Sequence, residues 1–230
     1  MPPKPKFTKA EIVNAAFEIA RETGIDSVAA RSLGARLGAT TSPIFTFFSN
    51  MEELKRAVYE KAKYICLDYL RGCLDFTPAF KEFGLRYVRF AVEEPHLYHL
   101  LFSSHPRYAT RADDMMAEYS ELTDQLLPDI RAQFSLTAED AAELFQHMRT
   151  YVAGIIVSIS NGYCTFSEFN IAQQMGTACL GTAFLLKARN GALDLASAHT
   201  MANSVGILPL RTQKSAPDQP IGSDKIFILK

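Results

Sequence analysis

Helix starts and stops alternate so closely in the first fifty residues that three short helices fit there and little else. Thr8-Lys9-Ala10-Glu11 forms a capping box: the Thr8 hydroxyl can accept from the Glu11 amide while the Glu11 side chain reaches back to the Thr8 amide. Phe7 before the cap and Ile12 within the first turns supply the matching hydrophobic staple. Ile12, Ala15, Ala16, Ile19 and Ala20 then recur at helical spacing, and Gly24 predicts a left-handed stop. A second helix is expected from about Ala29 to Leu37, with Leu33 and Leu37 inward and Arg31 and Arg36 outward. Gly38 permits the positive-φ turn that ends it. Thr40 or Thr41 can cap a third, very short helix with Ser42 and Pro43 in its first turn, ending near Phe48. A second capping box, Ser49-Asn50-Met51-Glu52, opens a long helix through about Leu74. Two short helices joined across a glycine turn, with a longer helix before them, make a helix-turn-helix.

The remaining sequence keeps the helical period. Helices are expected from Pro78 to about Glu94, from Pro95 to Phe102, and from Asp113 to about Phe134 with a possible interruption at Pro128. Residues 103–112 read as a loop. Thr137 caps a long helix whose inward face is Leu144, Phe145, Met148, Tyr151, Val152, Ile155, Ile156 and Ile159, ending at Asn161-Gly162. A last major helix spans about Glu168 to Arg189, and 194–206 can add a short one. With no alternating strand pattern, hairpin turn or internal repeat, the fold class is all-α. The expected organisation is an arm and helix-turn-helix domain over 1–50, a helical domain over 51–206 and a flexible tail over 207–230.

Charge narrows the function. The net charge of −1 argues against a protein that coats nucleic acid. Its distribution is uneven: residues 1–57 hold eight Lys and Arg against six acids, whereas the rest of the chain has an excess of acid. That sign suits an N-terminal end that meets DNA. Lys4, Lys6 and Lys9 form a basic arm, and Arg31 opens the second helix. The third helix carries no basic residue, so reading must rely on hydroxyls and apolar groups. Thr40, Thr41, Ser42 and Thr46 can bond phosphates or base edges, and Thr46 and Phe47 can touch thymine methyls. Ile44, Phe45 and Phe48 are expected to pin the helix to its own small core, with Phe47 pointing the other way.

In these residues the chain resembles the tetracycline-repressor (TetR) family of bacterial transcription regulators. The resemblance rests on AAFEIARETG, Arg31, GATTS, Ile44-Phe45, Phe48 and SNMEEL, and covers roughly residues 8–60. Beyond that, residues 61–200 match only as a set of helices of suitable length. Two positions depart from the family pattern. Phe45 stands where the family usually has a tyrosine whose hydroxyl touches a DNA phosphate, and Met51 stands where a phosphate-binding lysine usually follows the recognition helix. Each loss removes a hydrogen bond on the order of 1 kcal/mol, and phosphate contacts position rather than specify.

The resemblance implies a double-stranded DNA operator, a small-molecule inducer, a homodimer and, by family default, repression. For the inducer the expected lining is Tyr87, Phe90, Tyr98, Phe102, Met115, Met116, Tyr119, Met148 and Tyr151, which suits an apolar or aromatic molecule. For the dimer the expected interface is Ile155, Ile159, Gly176, Cys179, Leu180 and Phe184 on the last two long helices. His96 and His99 share a helix face but lack a third ligand at fixed spacing, so no metal is expected. No P-loop, Rossmann glycine pattern or nucleophile elbow is present, so neither cofactor nor enzymatic activity is expected. Without a long apolar run or an apolar leader, and with four cysteines and no CxxC pair, a reducing cytoplasm is the expected compartment. The alternatives are a helical ligand-binding or adaptor protein with a degenerate helix-turn-helix and, more remotely, an all-α enzyme.

Overall fold

The computed structural model describes residues 7–102, 112–191 and 226–227, with side chains for 7–102 and 120–191. Its helices are α1 (Lys9–Thr23), α2 (Ala30–Leu37), α3 (Ser42–Phe47), α4 (Met51–Arg71), α5 (Ala79–Glu93), α6 (Pro95–Phe102), α7 (Ala112–Phe134), α8 (Ala138–Ser160) and α9 (Glu168–Arg189). Among the described residues the fold is all-α apart from one minimal pairing, in which β1 (Phe166–Ser167) runs antiparallel to β2 (Ile226–Phe227). The segments 1–6, 103–111 and 192–206, on which parts of the sequence reading fall, lie outside the described residues. The described parts of Met1–Tyr69 and Glu93–Tyr119 form one compact unit, and those of Leu70–Val92 and Ser120–Lys230 a second.

In the first unit α1 starts where its capping box predicts. The Glu11 amide donates to the Thr8 hydroxyl at 3.2 Å, and the Thr8 amide donates to the Glu11 carboxylate at 2.7 Å. Those bonds hold the Glu11 carboxyl below the usual range, the backbone bond being the larger cause. Gly24 stops the helix differently from expectation: φ is positive at 89° but ψ is extended at 159°, a region open in practice only to glycine. The start of α4 is also shifted by one residue. Asn50 rather than Ser49 is the cap, accepting from the Glu53 amide at 2.9 Å, and Glu53 returns to the Ser49 amide at 2.7 Å. The core of the unit gathers Ile12, Ala16 and Phe17 from α1, Leu33 from α2, Ile44 and Phe48 around α3, and Leu54 and Val58 from α4. Helix α6 packs on α1, where the Arg21 guanidinium clasps the Glu94 carboxylate, with Nε at 2.8 and 3.0 Å from its two oxygens.

The second unit is organised by α8 against α9. Leu144, Phe145, Met148, Val152, Ile155, Ile156 and Ile159 face inward from α8, and Ile171, Met175, Cys179, Leu180 and Ala183 from α9. Tyr151, expected on that inward face, is instead 38% exposed. It lies on the outward side of α8, with Gly154 and Val157. Phe80 and Phe83 of α5 lean on the Phe145 ring at centroid distances of 5.8 and 5.7 Å. Helix α7 runs through Pro128 without interruption, burying Leu122, Leu126, Ile130 and Phe134. The ends of α8 and α9 are tied by Asp140, whose carboxylate accepts from Arg189 Nη2 at 2.7 Å and from Asn190 Nδ2 at 2.7 Å.

Candidate nucleic-acid interface

The geometry of α3 follows from its brevity. Six residues cannot hold a helix by backbone bonds alone in water, so its position depends on what it buries. Ile44 is fully buried and Phe48, just beyond the last turn, is 2% exposed. Gly38 turns the chain between α2 and α3 in the left-handed conformation, φ 61° and ψ 38°, with its amide on the Ala35 and Gly34 carbonyls. Gly34 lies under the same turn: the Ala39 amide donates to its carbonyl at 3.0 Å, and a Cβ at Gly34 would stand 3.0 Å from the Ala39 carbonyl oxygen. Small residues therefore line the open cleft between the two helices, formed by Gly34, Ala35, Gly38, Ala39, Thr40 and Pro43.

The outward surface of this device differs from expectation at Phe45 and Phe47. Phe45, expected in the core, is 49% exposed, whereas Phe47 is half-buried. The reason is helical phase. At about 100° per residue, Phe47 lies roughly 60° from Ile44 around the helix, Phe45 roughly 100° and Thr46 roughly 160°. Counting that rotation on the sequence would have made Phe45 the outward aromatic.

Thr40, Thr41, Ser42 and Thr46 are all exposed. The Thr46 hydroxyl donates to the Ser42 carbonyl at 3.3 Å, which turns its proton back into the helix. Thr41 stands at the cap, exposed, and its side chain makes no cap bond.

Basic groups flank this surface. Lys9 Nζ lies 5.0 Å from the centroid of the Phe48 ring, a cation–π contact that holds it beside the anchor of α3. Arg31 is exposed and has no ion pair among the described residues. Arg36 is committed elsewhere, its two terminal nitrogens on Glu22 at 2.7 and 2.6 Å, and this pairing holds the Glu22 carboxyl low. Lys4 and Lys6 lie outside the described residues.

The other candidate residues are distributed as follows. Tyr98 and Phe102 belong to the first unit, half-buried, with ring centroids 4.9 Å apart. In the second unit Phe90 and Met148 are core, Tyr87 is half-buried and stacks on Phe83 with centroids 6.5 Å apart, and Tyr151 is exposed. The side chains of Met115, Met116 and Tyr119 lie outside the described residues.

Of the expected interface set, Ile155, Ile159, Gly176, Cys179 and Leu180 are turned into the chain's own core and Phe184 is half-buried. The outward row carries Gly154 and Val157 on α8 and Gly181 and Leu185 on α9, Leu185 being 73% exposed. Burial pushes the Cys179 thiol up to about 12 and the Cys73 thiol to about 11, so neither is a thiolate at neutral pH. Among the described residues no group of His, Cys, Asp and Glu is placed to hold a metal ion, and no helix is long and apolar enough to cross a membrane.

A three-helix head whose second and third helices meet at a left-handed glycine, continued by further helices, is a helix-turn-helix head on a helical protein. Residues 80–175 match the model of the tetracyclin repressor-like C-terminal domain. With the head motif over residues 8–60, the chain is similar to the TetR family of transcriptional regulators in both its N-terminal and its C-terminal parts. Among solved structures, the AmtR crystal structure from Mycobacterium smegmatis is similar at 18% identity and a TM-score of 0.45, covering 91% of this chain and 100% of that one. No curated protein matches the sequence.

Proposed function

We propose that this protein is a ligand-responsive repressor that binds a palindromic double-stranded operator as a homodimer in the cytoplasm and is released by a small-molecule inducer. The observation that carries this reading is α3 itself, anchored by Ile44 and Phe48 with Thr40, Thr41, Ser42, Phe45 and Thr46 turned outward. A six-residue helix fixed that firmly with an uncapped hydroxyl and an exposed ring has the form of a reading element. Lys4, Lys6, Lys9 and Arg31 supply phosphate contacts, which set register and salt dependence but not sequence. The reading domain is assigned to 1–50 and the ligand and dimer domain to 51–206.

For pairing of two chains, the outward row of Gly154, Val157, Gly181 and Leu185 is the better surface, because the residues first expected there are already packed inside. An apolar or aromatic inducer fits the aromatic character of the helical domain, where Phe80, Phe83, Tyr87 and Phe145 cluster. Such a ligand acts only through unequal affinity for the DNA-competent and released states.

The uncharged α3 favours the competing reading, a helical ligand-binding or adaptor protein with a degenerate head. Selection of duplexes from a random pool with the full-length protein separates the two. A palindromic winner, lost on Thr46→Ala or Phe45→Ala and weakened by salt, supports the repressor. Folded dimer that enriches nothing at low salt sinks it.

A further inference from the structure

We infer that Phe45 reads the C5 methyl group of thymine, so that the operator of this protein is specified largely by methyl contacts rather than by charged or amide side chains on base edges. The inference rests on the DNA-binding reading above and deepens it. Between Arg36 and Glu52 the chain carries no charged residue and a single side-chain amide, Asn50. The Asn50 oxygen is occupied in capping α4. The pairings by which arginine or lysine selects guanine, and asparagine or glutamine selects adenine, are thus absent from α3. The exposed hydroxyls of Thr40, Thr41 and Ser42 can bond base edges but select no single base, which leaves the thymine methyl, recognised by apolar contact, as the distinctive feature this helix can read.

The exposed side of α3 offers that contact. Phe45 presents about half its surface to solvent, although Ile44 beside it is fully buried. Thr46 follows it, and with its hydroxyl bonded to the Ser42 carbonyl it contributes a methyl group more readily than a donated proton. A half-exposed phenyl ring adds less to holding that helix than its two buried anchors, Ile44 and Phe48. One turn before it on the helix stand Thr41 and Ser42, both exposed, and Lys9 is held over Phe48 on the same small domain. An apolar ring one turn from exposed hydroxyls, with positive charge on the same domain, fits the floor of a major groove between phosphates better than it fits an apolar protein partner.

The test uses the operator obtained by selection with the full-length protein. Thymines of each half-site are replaced one at a time by deoxyuridine, which leaves every hydrogen-bonding edge intact and removes only the methyl. Affinities are measured at one salt concentration for the wild type, Phe45→Ala and Phe45→Leu. With the wild type, at least one symmetry-related thymine is expected to lose about fourfold on replacement, the effect of withdrawing one methyl from an apolar contact. That loss should vanish in Phe45→Ala and persist in Phe45→Leu, which keeps an apolar side chain. Because Phe45 is half exposed, both variants should keep the fold and melt only a few degrees below the wild type, which thermal denaturation checks. Equal binding of thymine and uracil duplexes at every position overturns the inference, as does a uracil effect that survives Phe45→Ala. Failure to enrich any duplex overturns the DNA-binding reading as well, so the two failures are distinguishable.

Discussion

Replacing Asp140 by alanine should destabilise the second unit by about 2–3 kcal/mol at neutral pH, and the deficit should disappear in acid. The Asp140 side chain is only 4% exposed. Its carboxylate accepts from the Thr137 hydroxyl at 2.8 Å, from Arg189 at 2.7 Å and from Asn190 at 2.7 Å, so it joins the first turn of α8 to the last turn of α9. Hydrogen bonds to a charged acceptor contribute roughly 1.5–3 kcal/mol each when shielded. Here Arg189 is half exposed and keeps Glu143 as a second partner, so its share is small. The Thr137 and Asn190 bonds carry most of the effect. For a chain of this size the loss corresponds to a melting point lower by about 5–10 °C.

The Asp140 carboxyl is held below its usual range, first by the Thr137 hydroxyl and then by Arg189 and Asn190. A lowered folded-state pKa means that the stabilisation is complete above the ordinary aspartate pKa of about 4 and is lost as pH falls through the lowered value. Melting of wild type and Asp140→Ala by circular dichroism, at neutral pH and across the acid range, gives both readings. Equal melting points at neutral pH, or a gap of unchanged size in strong acid, would refute the reasoning.

Other substitutions probe the head and the outward face. Gly38→Ala meets no neighbouring atom, so its cost of about 1–2 kcal/mol is that of a left-handed alanine, and Gly38→Asn should cost less. Both are read by denaturation, and DNA affinity should follow the same order. Ile44→Ala removes one of two anchors of α3 and should cost about 2–4 kcal/mol, with faster hydrogen exchange in residues 42–48 than in α1. Unchanged exchange there would mean that α3 does not depend on its anchor. Leu185→Glu on the outward row should shift a dimer to monomer in sedimentation while leaving the helical spectrum intact. A dimer that persists would place the interface elsewhere.

The sequence by itself determined the helices and the head. Capping, period and glycine stops are local, and each acts over three or four residues, so Thr8, Gly38, Thr137 and the ends of α8 and α9 could be placed without knowing any neighbour. Part of the surface of α3 was equally local: Phe45 outward and Phe47 half inward follow from rotation about a six-residue helix once Ile44 is taken as the anchor.

Tertiary structure alone decided which apolar face a helix keeps for its own core. Helices α8 and α9 are apolar on more than one side, so the pattern does not distinguish Ile155, Ile159, Cys179 and Leu180, which pack inward, from Val157 and Leu185, which do not. It also decided the pairing of charges. Arg21 meets Glu94 across 73 residues and Arg189 meets Asp140 across 49, and nothing local selects one carboxylate from the many in the chain. Such partners are chosen by where packed helices bring their ends together, which depends on the whole core rather than on any short stretch of sequence.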